Sequence, residues 1–319
     1  MLSKKKYAVI IYGYMRTYKK TSCSLLKNII NKNNADLYVY CFENEGISPL
    51  STQKEINEEK RINGNKWDDE GDVVSEASLY QQYGERLVHF SINKYNKNKF
   101  ISESKDIFSP ILPIERCYSL YYNITNAVAM FKQYCEDNEI EYDGVLVTRP
   151  DLMFYDTIDF EKFDLSSITV PAYGGNYRFR EKPQPYYVCY YKNVFKGELI
   201  PWNEIIFSDQ FIFSSYANMV TLESLYSSLG LYNSNGLPVC HPETVLYYHL
   251  AYQHDISHTN VDINYEILRN DAVEIENEIT LAFPIVSDKN DCIPNSKKSS
   301  VKFDLVQYTK NVIKAVLNK

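Results

Sequence analysis

Several sequence signatures of common enzyme classes are missing from this 319-residue chain. It contains no Gly-x-x-x-x-Gly-Lys-Ser/Thr loop, no Gly-x-Gly-x-x-Gly run and no Gly-x-Ser-x-Gly turn, which disfavours P-loop kinases, classical dehydrogenases and α/β-hydrolases. No apolar run approaches the ~20 residues of a membrane span, and the apolar part of MLSKKKYAVIIYGY is too short for a signal peptide. The sequence therefore predicts a soluble, cytoplasmic protein.

Positive charge is also scarce. The 34 Lys and Arg stand against 41 Asp and Glu, a net charge of −7, whereas a general nucleic-acid-binding protein shows a basic surface. We therefore expect no nucleic-acid partner. The seven Cys form no Cys-x-x-Cys pair and several lie in apolar runs, which is typical of reduced thiols in the cytosol.

Tyr, by contrast, is abundant, with 29 residues against 15 Phe and 2 Trp. Coding bias is one explanation, since Lys, Asn and Ile are also plentiful. The other is ligand binding, because Tyr offers a flat apolar face with a polar tip.

The first half of the chain alternates between strand-like and helix-like patterns. A helix is expected from Thr21 or Ser22 to Lys32 and another over Glu115–Asp137. Buried strands are expected at Tyr7–Tyr12 and Gly144–Thr148, and further strands at Asp36–Phe42 and Arg86–Ser91. A strand, loop, helix and strand in this order are typical of a nucleotide-binding α/β layer. The predicted fold class is therefore α/β.

The remaining elements are less regular. Residues 43–85 carry eleven acids and four bases with no clear period, and we interpret them as an acidic excursion that covers an active site. Further elements are predicted as a short strand at Ser167–Ala172, an apolar strand at Pro201–Ser215 interrupted by Ser208-Asp209-Gln210, and helices at Ala217–Leu229 and Pro242–Tyr252.

The segment YDGVLVTRPDLMFY, residues 142–155, is the most informative part of the sequence. Its strand ends before Pro150, which lacks an N–H, and leaves Arg149 and Asp151 just past the strand end. Ligands of open α/β sheets bind outside the carboxyl ends of the strands. The two charged residues could bind a phosphorylated ligand, a metal ion or simply each other.

Five motifs in order carry a resemblance to a known family: GYMRT, ADLYVY, YDGVLVTRPDL, SDQFIFSS and HPET. Over residues 7–255 the chain resembles bacterial and viral surface-polysaccharide glycosyltransferases of the GT-A type. The resemblance implies a GT-A-like nucleotide-diphospho-sugar transferase fold, with a mixed sheet flanked by helices, over residues 1–285. It also implies transfer of a sugar from a nucleotide sugar to a hydroxyl of a glycan or lipid-linked glycan acceptor.

The resemblance places the nucleotide at the end of the first strand, against Tyr12, Gly13, Arg16 and Thr17. Asp36, at the head of the second strand, is expected to reach the base or ribose. Arg16 could equally be a surface charge and Asp36 a turn residue.

The Asp-x-Asp triplet of GT-A enzymes is matched here by Arg149-Pro150-Asp151. One carboxylate, together with phosphate oxygens and waters, can still hold a hard cation, so Mn²⁺ or Mg²⁺ at Asp151 is the favoured expectation. The alternative is a metal-independent site in which Arg149 neutralises the diphosphate.

Asp209 is the candidate base that deprotonates the acceptor hydroxyl in an inverting reaction. Glu243, with His241, is the second candidate, although a carboxylate in a first helical turn is also favoured structurally. Arg178 and Arg180 are expected to bind the diphosphate or an anionic acceptor sugar. The His residues at 241, 249, 254 and 258 lack the spacing of a zinc site.

The segment 286–319 is basic, with six Lys and one Asp between Lys297 and Lys319. It is expected to form an amphipathic helix that either contacts an anionic inner membrane surface or docks on the core. Two other functions stay open: a nucleotidyltransferase on a related α/β fold, and a non-catalytic protein that binds a glycan or another partner.

Overall fold

The structure is a computed structural model that describes residues 5–46, 71–107, 109, 113–174, 185–193 and 196–268. The predicted binding residues Arg178 and Arg180, the basic segment 286–319 and most of the acidic excursion lie outside these residues. Within the described residues, no helix is long and apolar enough to cross a membrane.

The described residues contain eleven strands. In chain order they are β1 Tyr7–Gly13, β2 Asp36–Phe42, β3 Leu87–Asn93, β4 Gly144–Thr148, β5 Leu152–Phe154, β6 Ile168–Pro171, β7 Tyr187–Asn193, β8 Glu198–Ile206, β9 Phe211–Ser215, β10 His258–Val261 and β11 Tyr265–Ile267. Seven of them form one sheet in the order β10-β6-β9-β4-β1-β2-β3. The pairs β5–β11 and β7–β8 form two small antiparallel sheets.

The large sheet is mixed, and its strand directions bring the candidate residues to one edge. Strands β1 to β4 are parallel to one another in their pairs, whereas β9 runs antiparallel beside β4. Thr148, the last residue of β4, therefore pairs with Phe211, the first residue of β9. The carboxyl ends of β1 and β4 and the amino end of β9 consequently share an edge.

Helices cover both faces of this sheet. In chain order they are α1 Tyr18–Leu25, α2 Glu76–Tyr83, α3 Lys97–Ser104, α4 Ile114–Asp137, α5 Tyr216–Met219, α6 Leu225–Ser234 and α7 Pro242–Tyr247. Two of them continue in another form. Helix α1 is followed by a π-helical turn Leu26–Ile30 and a last turn Asn31–Asn33, and α7 by a π-helical segment Tyr248–Gln253. The 24-residue α4 buries Tyr121, Ile124, Val128 and Phe131 in one of the two core clusters.

The alternation of side chains along the central strands explains the two cores. Ala8 and Ile10 of β1 lie in the cluster beneath α4, and Val9 and Ile11 lie in the cluster on the opposite face. Because successive side chains of a strand point to opposite faces, a run of apolar residues buries both of them. This confirms the predicted buried strands at Tyr7–Tyr12 and Gly144–Thr148. It also confirms the coarse prediction of an α/β protein with a mixed, helix-flanked sheet.

Several predicted boundaries are corrected. The first helix begins at Tyr18 rather than Thr21 or Ser22, because Thr17 takes the N-cap position. The last part of the acidic excursion is helix α2, which starts with a reciprocal capping pair between Ser75 and Ser78. The predicted strand Pro201–Ser215 is two strands, β8 and β9, separated at Phe207–Gln210.

Candidate functional site

A cleft opens at the shared edge of β1 and β4 and holds about 650 Å³ of space between protein atoms, part of it open to solvent. Five of the residues predicted from the sequence line it: Tyr12, Gly13, Arg16, Arg149 and Asp151. The structure therefore brings together two motifs that are more than a hundred positions apart in the chain. Such an edge is where open α/β sheets bind ligands.

The loop after β1 has an unusual backbone. Gly13 has a φ of 94° and Arg16 a φ of 43°, so both lie in the left-handed region, which only Gly enters without cost. The Arg16 N–H donates a hydrogen bond to the Glu45 carbonyl at 2.6 Å, which holds the strained turn in place. Strain of this kind is concentrated at functional sites. Here it directs the Arg16 side chain towards Asp151.

Asp151 is fully buried and binds two guanidinium groups. Arg149 donates from Nε to Oδ1 at 2.9 Å and from Nη2 to Oδ2 at 2.7 Å, and Arg16 donates from Nη1 to Oδ2 at 2.9 Å. Burial alone would lower the pKa of Arg149, but the charge and hydrogen bonds of Asp151 outweigh it and raise the pKa well above its usual value. Arg149 therefore stays charged, and Asp151 fixes the two guanidinium groups beside each other.

This arrangement does not favour a divalent cation at Asp151. Both carboxylate oxygens already accept hydrogen bonds from guanidinium groups, and the two positive charges would repel a cation placed there. Hard cations need several oxygen ligands, and the described residues contain no group of three or more His, Cys, Asp or Glu that could hold a metal. The cation at Asp151 stays a prediction that the described geometry does not support.

Helix α4 supplies a wall of the cleft that was not predicted from the sequence. Arg116, Ser119 and Asn123 line it together with Leu120. The three polar residues recur at i, i+3 and i+7, which places them on one face of a helix. The helix was predicted from its apolar residues alone. The polar stripe is also visible in the sequence and could have indicated a residue set that faces a ligand. With Arg116, the cleft is lined by three Arg and one Asp.

Asp209 lies beside this cleft, in the turn that leads into β9. The Tyr12 hydroxyl donates a hydrogen bond to the Asp209 carbonyl at 3.0 Å, and the Asp209 side chain is buried. Burial and the charge of Glu243 raise the pKa of Asp209 to about 7, although Arg149 opposes the shift. A carboxyl with a pKa near neutrality suits proton transfer.

Glu243 lies in the first turn of α7 and belongs to the same electrostatic group. Burial raises its pKa to about 7, against the opposing effect of Arg149. His241, the N-cap of α7, places Nδ1 at 3.3 Å from Glu243 Oε2. Burial lowers the pKa of His241 to about 4, so its imidazole is neutral at pH 7. The second predicted pair therefore adjoins the first candidate base.

Two other predicted residues do not join the cleft. Asp36 pairs with Ala8 at the start of the parallel strands, four residues before Tyr12, which is about 13 Å along the strand. Its carboxylate accepts a hydrogen bond from the Tyr142 hydroxyl at 2.6 Å. The expectation that Asp36 reaches the base or ribose is corrected accordingly. Thr17 is buried and its hydroxyl donates to the Leu268 carbonyl at 3.1 Å, which is a structural contact.

His249, one of the four histidines between positions 241 and 258, is held by hydrogen bonds inside the core. His249 is fully buried, with Nδ1 at 2.6 Å from the Tyr232 hydroxyl and Nε2 at 3.0 Å from the Thr221 carbonyl. Both ring nitrogens are thus occupied by hydrogen bonds within the core.

No protein-family model matches this chain, and no curated protein matches it.

Proposed function

We propose that this protein is a glycosyltransferase of the GT-A type that takes its sugar from a nucleotide-diphosphate donor. The observation that carries the proposal is the cleft at the carboxyl ends of β1 and β4, lined by three Arg and one Asp in a chain of net charge −7. A local positive site in an acidic protein attracts an anionic ligand. The mixed, helix-flanked sheet supports the same proposal.

Arg16 and Arg149 would bind the diphosphate. Asp151 holds the two guanidinium groups side by side, so they are oriented before the ligand arrives. A guanidinium fork matches the geometry of phosphate oxygens. In the transfer, the bond between the anomeric carbon and the diphosphate breaks, and the negative charge that develops on the leaving group is stabilised by these arginines. This is the metal-independent alternative.

Asp209 would act as the base of an inverting reaction. Its carboxylate takes the proton of the acceptor hydroxyl while the hydroxyl oxygen forms the new bond to the anomeric carbon. Glu243 raises the pKa of Asp209 and so strengthens it as a base. In a retaining reaction no base is required, and Asp209 would instead orient the donor. The proposed acceptor is a hydroxyl of a surface glycan or of a lipid-linked glycan.

The proposal is tested by thermal shift with UDP-, GDP-, CMP- and dTDP-sugars, each in Mn²⁺, in Mg²⁺ and in EDTA. A ligand at 100 times its Kd adds ~2.7 kcal/mol to stability, which raises the Tm measurably. We expect a rise for one nucleotide class that persists in EDTA. The shift should be lost in Arg16→Gln and kept in Arg86→Gln, since Arg86 binds Asn31 and Asn34 on the outside of the molecule.

Turnover separates the proposal from its alternatives. With the responding nucleotide sugar, Asp209→Asn should bind normally and release far less nucleoside diphosphate than the wild type. A wild-type protein that binds nucleotide sugars but never turns them over would point to a binding protein. Turnover of a sugar phosphate with a nucleoside triphosphate would point to a nucleotidyltransferase.

A further inference from the structure

Asn123 of α4 is buried, lines the cleft and has a side-chain oxygen that accepts no hydrogen bond within the described part of the chain. Its side chain is 3% exposed and lines the cleft. The amide Nδ2 donates to the Ser119 carbonyl at 2.7 Å, one turn earlier in the helix. The other amide atom, Oδ1, is buried and accepts no hydrogen bond from any residue that the structure describes.

The orientation of this amide follows from its surroundings. Only a donor can face the Ser119 carbonyl oxygen, because exchanging the two amide atoms would place two oxygens against each other. Asn123 Oδ1 is therefore the atom left over for another partner. A buried carbonyl oxygen without a partner is unfavourable, so a group that donates to it gains affinity.

The positive charges near Asn123 indicate that the hydrogen-bond donor belongs to a ligand that also carries an anionic group. Arg116 lies two helical turns before Asn123 on the same face, which separates the two backbone positions by about 10 Å along the helix. A ligand that meets Arg116 with an anionic group and Asn123 with a donor therefore extends along α4, and is longer than a phosphate alone.

We propose that Asn123 is a specificity-determining residue whose Oδ1 accepts a hydrogen bond from an O–H or N–H group carried by an organic phosphate. Such a donor is present on the sugar hydroxyls and on the bases of a nucleotide sugar. The inference rests on the proposed function for the identity of the phosphate compound, but its chemistry also applies to a simpler sugar phosphate. Inorganic pyrophosphate, with no organic donor, would gain nothing from Asn123.

The test compares Asn123→Leu with a matched control on the same helix, Asn126→Leu. Asn126 makes the equivalent bond, from Nδ2 to the Tyr122 carbonyl at 2.7 Å, but does not line the cleft. Both variants lose one helix hydrogen bond of the same kind, and only Asn123→Leu removes an unpaired acceptor from a residue that lines the cleft. Asn123→Ala is the second variant, in case the Leu side chain prevents folding, and a thermal melt checks each protein.

Binding is measured by calorimetry with four kinds of probe: inorganic pyrophosphate, UDP and GDP, the corresponding nucleotide sugars, and glucose 1-phosphate. For Asn123→Leu we expect the affinity for pyrophosphate to stay the same and the affinity for the organic phosphates to fall about tenfold or more, which corresponds to one buried hydrogen bond. A loss already seen with UDP or GDP places the donor on the nucleoside. A loss seen only with the nucleotide sugars places it on the transferred sugar.

The failures of the two proposals are distinguishable. Suppose that the wild-type protein binds glucose 1-phosphate more tightly than pyrophosphate but binds no nucleotide. The glycosyltransferase proposal is then overturned, and the role of Asn123 is tested by the affinity of Asn123→Leu for glucose 1-phosphate. The role of Asn123 is overturned if a folded Asn123 variant binds every probe as the wild type does, or loses pyrophosphate to the same extent. It is also overturned if Asn126→Leu shows the same selective loss, or if the wild type binds no organic phosphate.

Discussion

Arg149 and Asp151 form a two-point ion pair although only Pro150 separates them. Nε of Arg149 donates to one carboxylate oxygen at 2.9 Å and Nη2 to the other at 2.7 Å. The side chain of Asp151 is fully buried and that of Arg149 is 12% exposed, so little water screens the pair. The sequence left open whether these residues bind a ligand or each other. In the structure they bind each other, and the pair in turn fixes Arg16.

Replacing Arg149 with Lys should lower the free energy of unfolding, because it removes part of the two-point contact with Asp151. A Lys ammonium keeps the charge but has no fork that matches a carboxylate, so one of the two hydrogen bonds is lost. Hydrogen bonds to charged groups contribute about 1.5–3 kcal/mol, and we expect the free energy of unfolding to fall by about that amount. Urea denaturation measures it.

The matched control is Arg86→Lys. Arg86 donates to the side chains of Asn31 and Asn34 at exposed positions, so its loss should stay within about 0.5 kcal/mol. Equal losses in the two variants would contradict a special role for the Arg149–Asp151 pair.

Chelation of divalent cations should leave donor binding unchanged. Arg149 donates to both oxygens of Asp151 and Arg16 to one of them, and in the proposed site the two guanidinium groups would supply the charge neutralisation that a metal otherwise supplies. Calorimetry with the responding nucleotide sugar in EDTA and in Mn²⁺ should give Kd values that agree within about twofold, a difference of roughly 0.4 kcal/mol. Binding that requires Mn²⁺ and is abolished in Asp151→Asn would restore the cation at Asp151.

The buried carboxyl of Asp209 predicts a pH dependence with a definite sign. Its pKa is raised to about 7 from its ordinary value of 3.8, so between these values the folded protein holds a proton that the unfolded chain releases. The stability that this group contributes is therefore present at low pH and is lost as the pH rises through about 7.

Asp209→Asn removes this dependence. The Tm of the variant minus that of the wild type should be more positive at pH 8 than at pH 5, by the equivalent of on the order of 2 kcal/mol. His241 and His249, whose pKa values burial lowers to about 4, act in the opposite direction but are present in both proteins. Glu85→Gln, at an exposed position, is the control, and a difference that does not change with pH would refute the shift at Asp209.

The central strands could be predicted because their apolar runs leave few alternatives. The bounds of β2 and β4 agree with the structure, and β1 differs by one residue. Each is buried on both faces, and a continuous run of branched or aromatic residues between turn signals is specific for such a strand. The same reasoning placed Arg149 and Asp151 at the sheet edge.

The parts that could not be predicted depend on contacts between distant segments. Asp36 stands at a strand start, and only the parallel register with Ala8 shows that this start lies away from the cleft. Strand β7 buries only Val188 and is defined by its pairing with β8, which the periodicity of its sequence does not reveal. The polar stripe that contains Arg116 and Asn123 is visible in the sequence, but only the packing of α4 against β1 places it at the cleft.

Two glycine substitutions should change stability in opposite directions. Gly13 ends β1 with a φ of 94°, and a Cβ there would meet nothing within 4 Å. The cost of Gly13→Ala is therefore backbone strain without a clash, about 1–2 kcal/mol. Gly230 lies in α6, is exposed, and likewise has open space around a Cβ. Because Ala favours a helix over Gly, Gly230→Ala should stabilise by up to about 1 kcal/mol.

Thermal and urea denaturation of the two variants show whether each substitution raises or lowers stability. Nucleotide-sugar binding gives a second, independent measurement. Gly13→Ala should also weaken binding, since the loop that follows Gly13 positions Arg16 in the cleft, whereas Gly230→Ala should bind as the wild type does. If Gly13→Ala proved as stable as the wild type, the left-handed conformation at the end of β1 would not be the one that the protein adopts. If it were destabilised yet bound the donor normally, the turn would serve the fold without positioning Arg16.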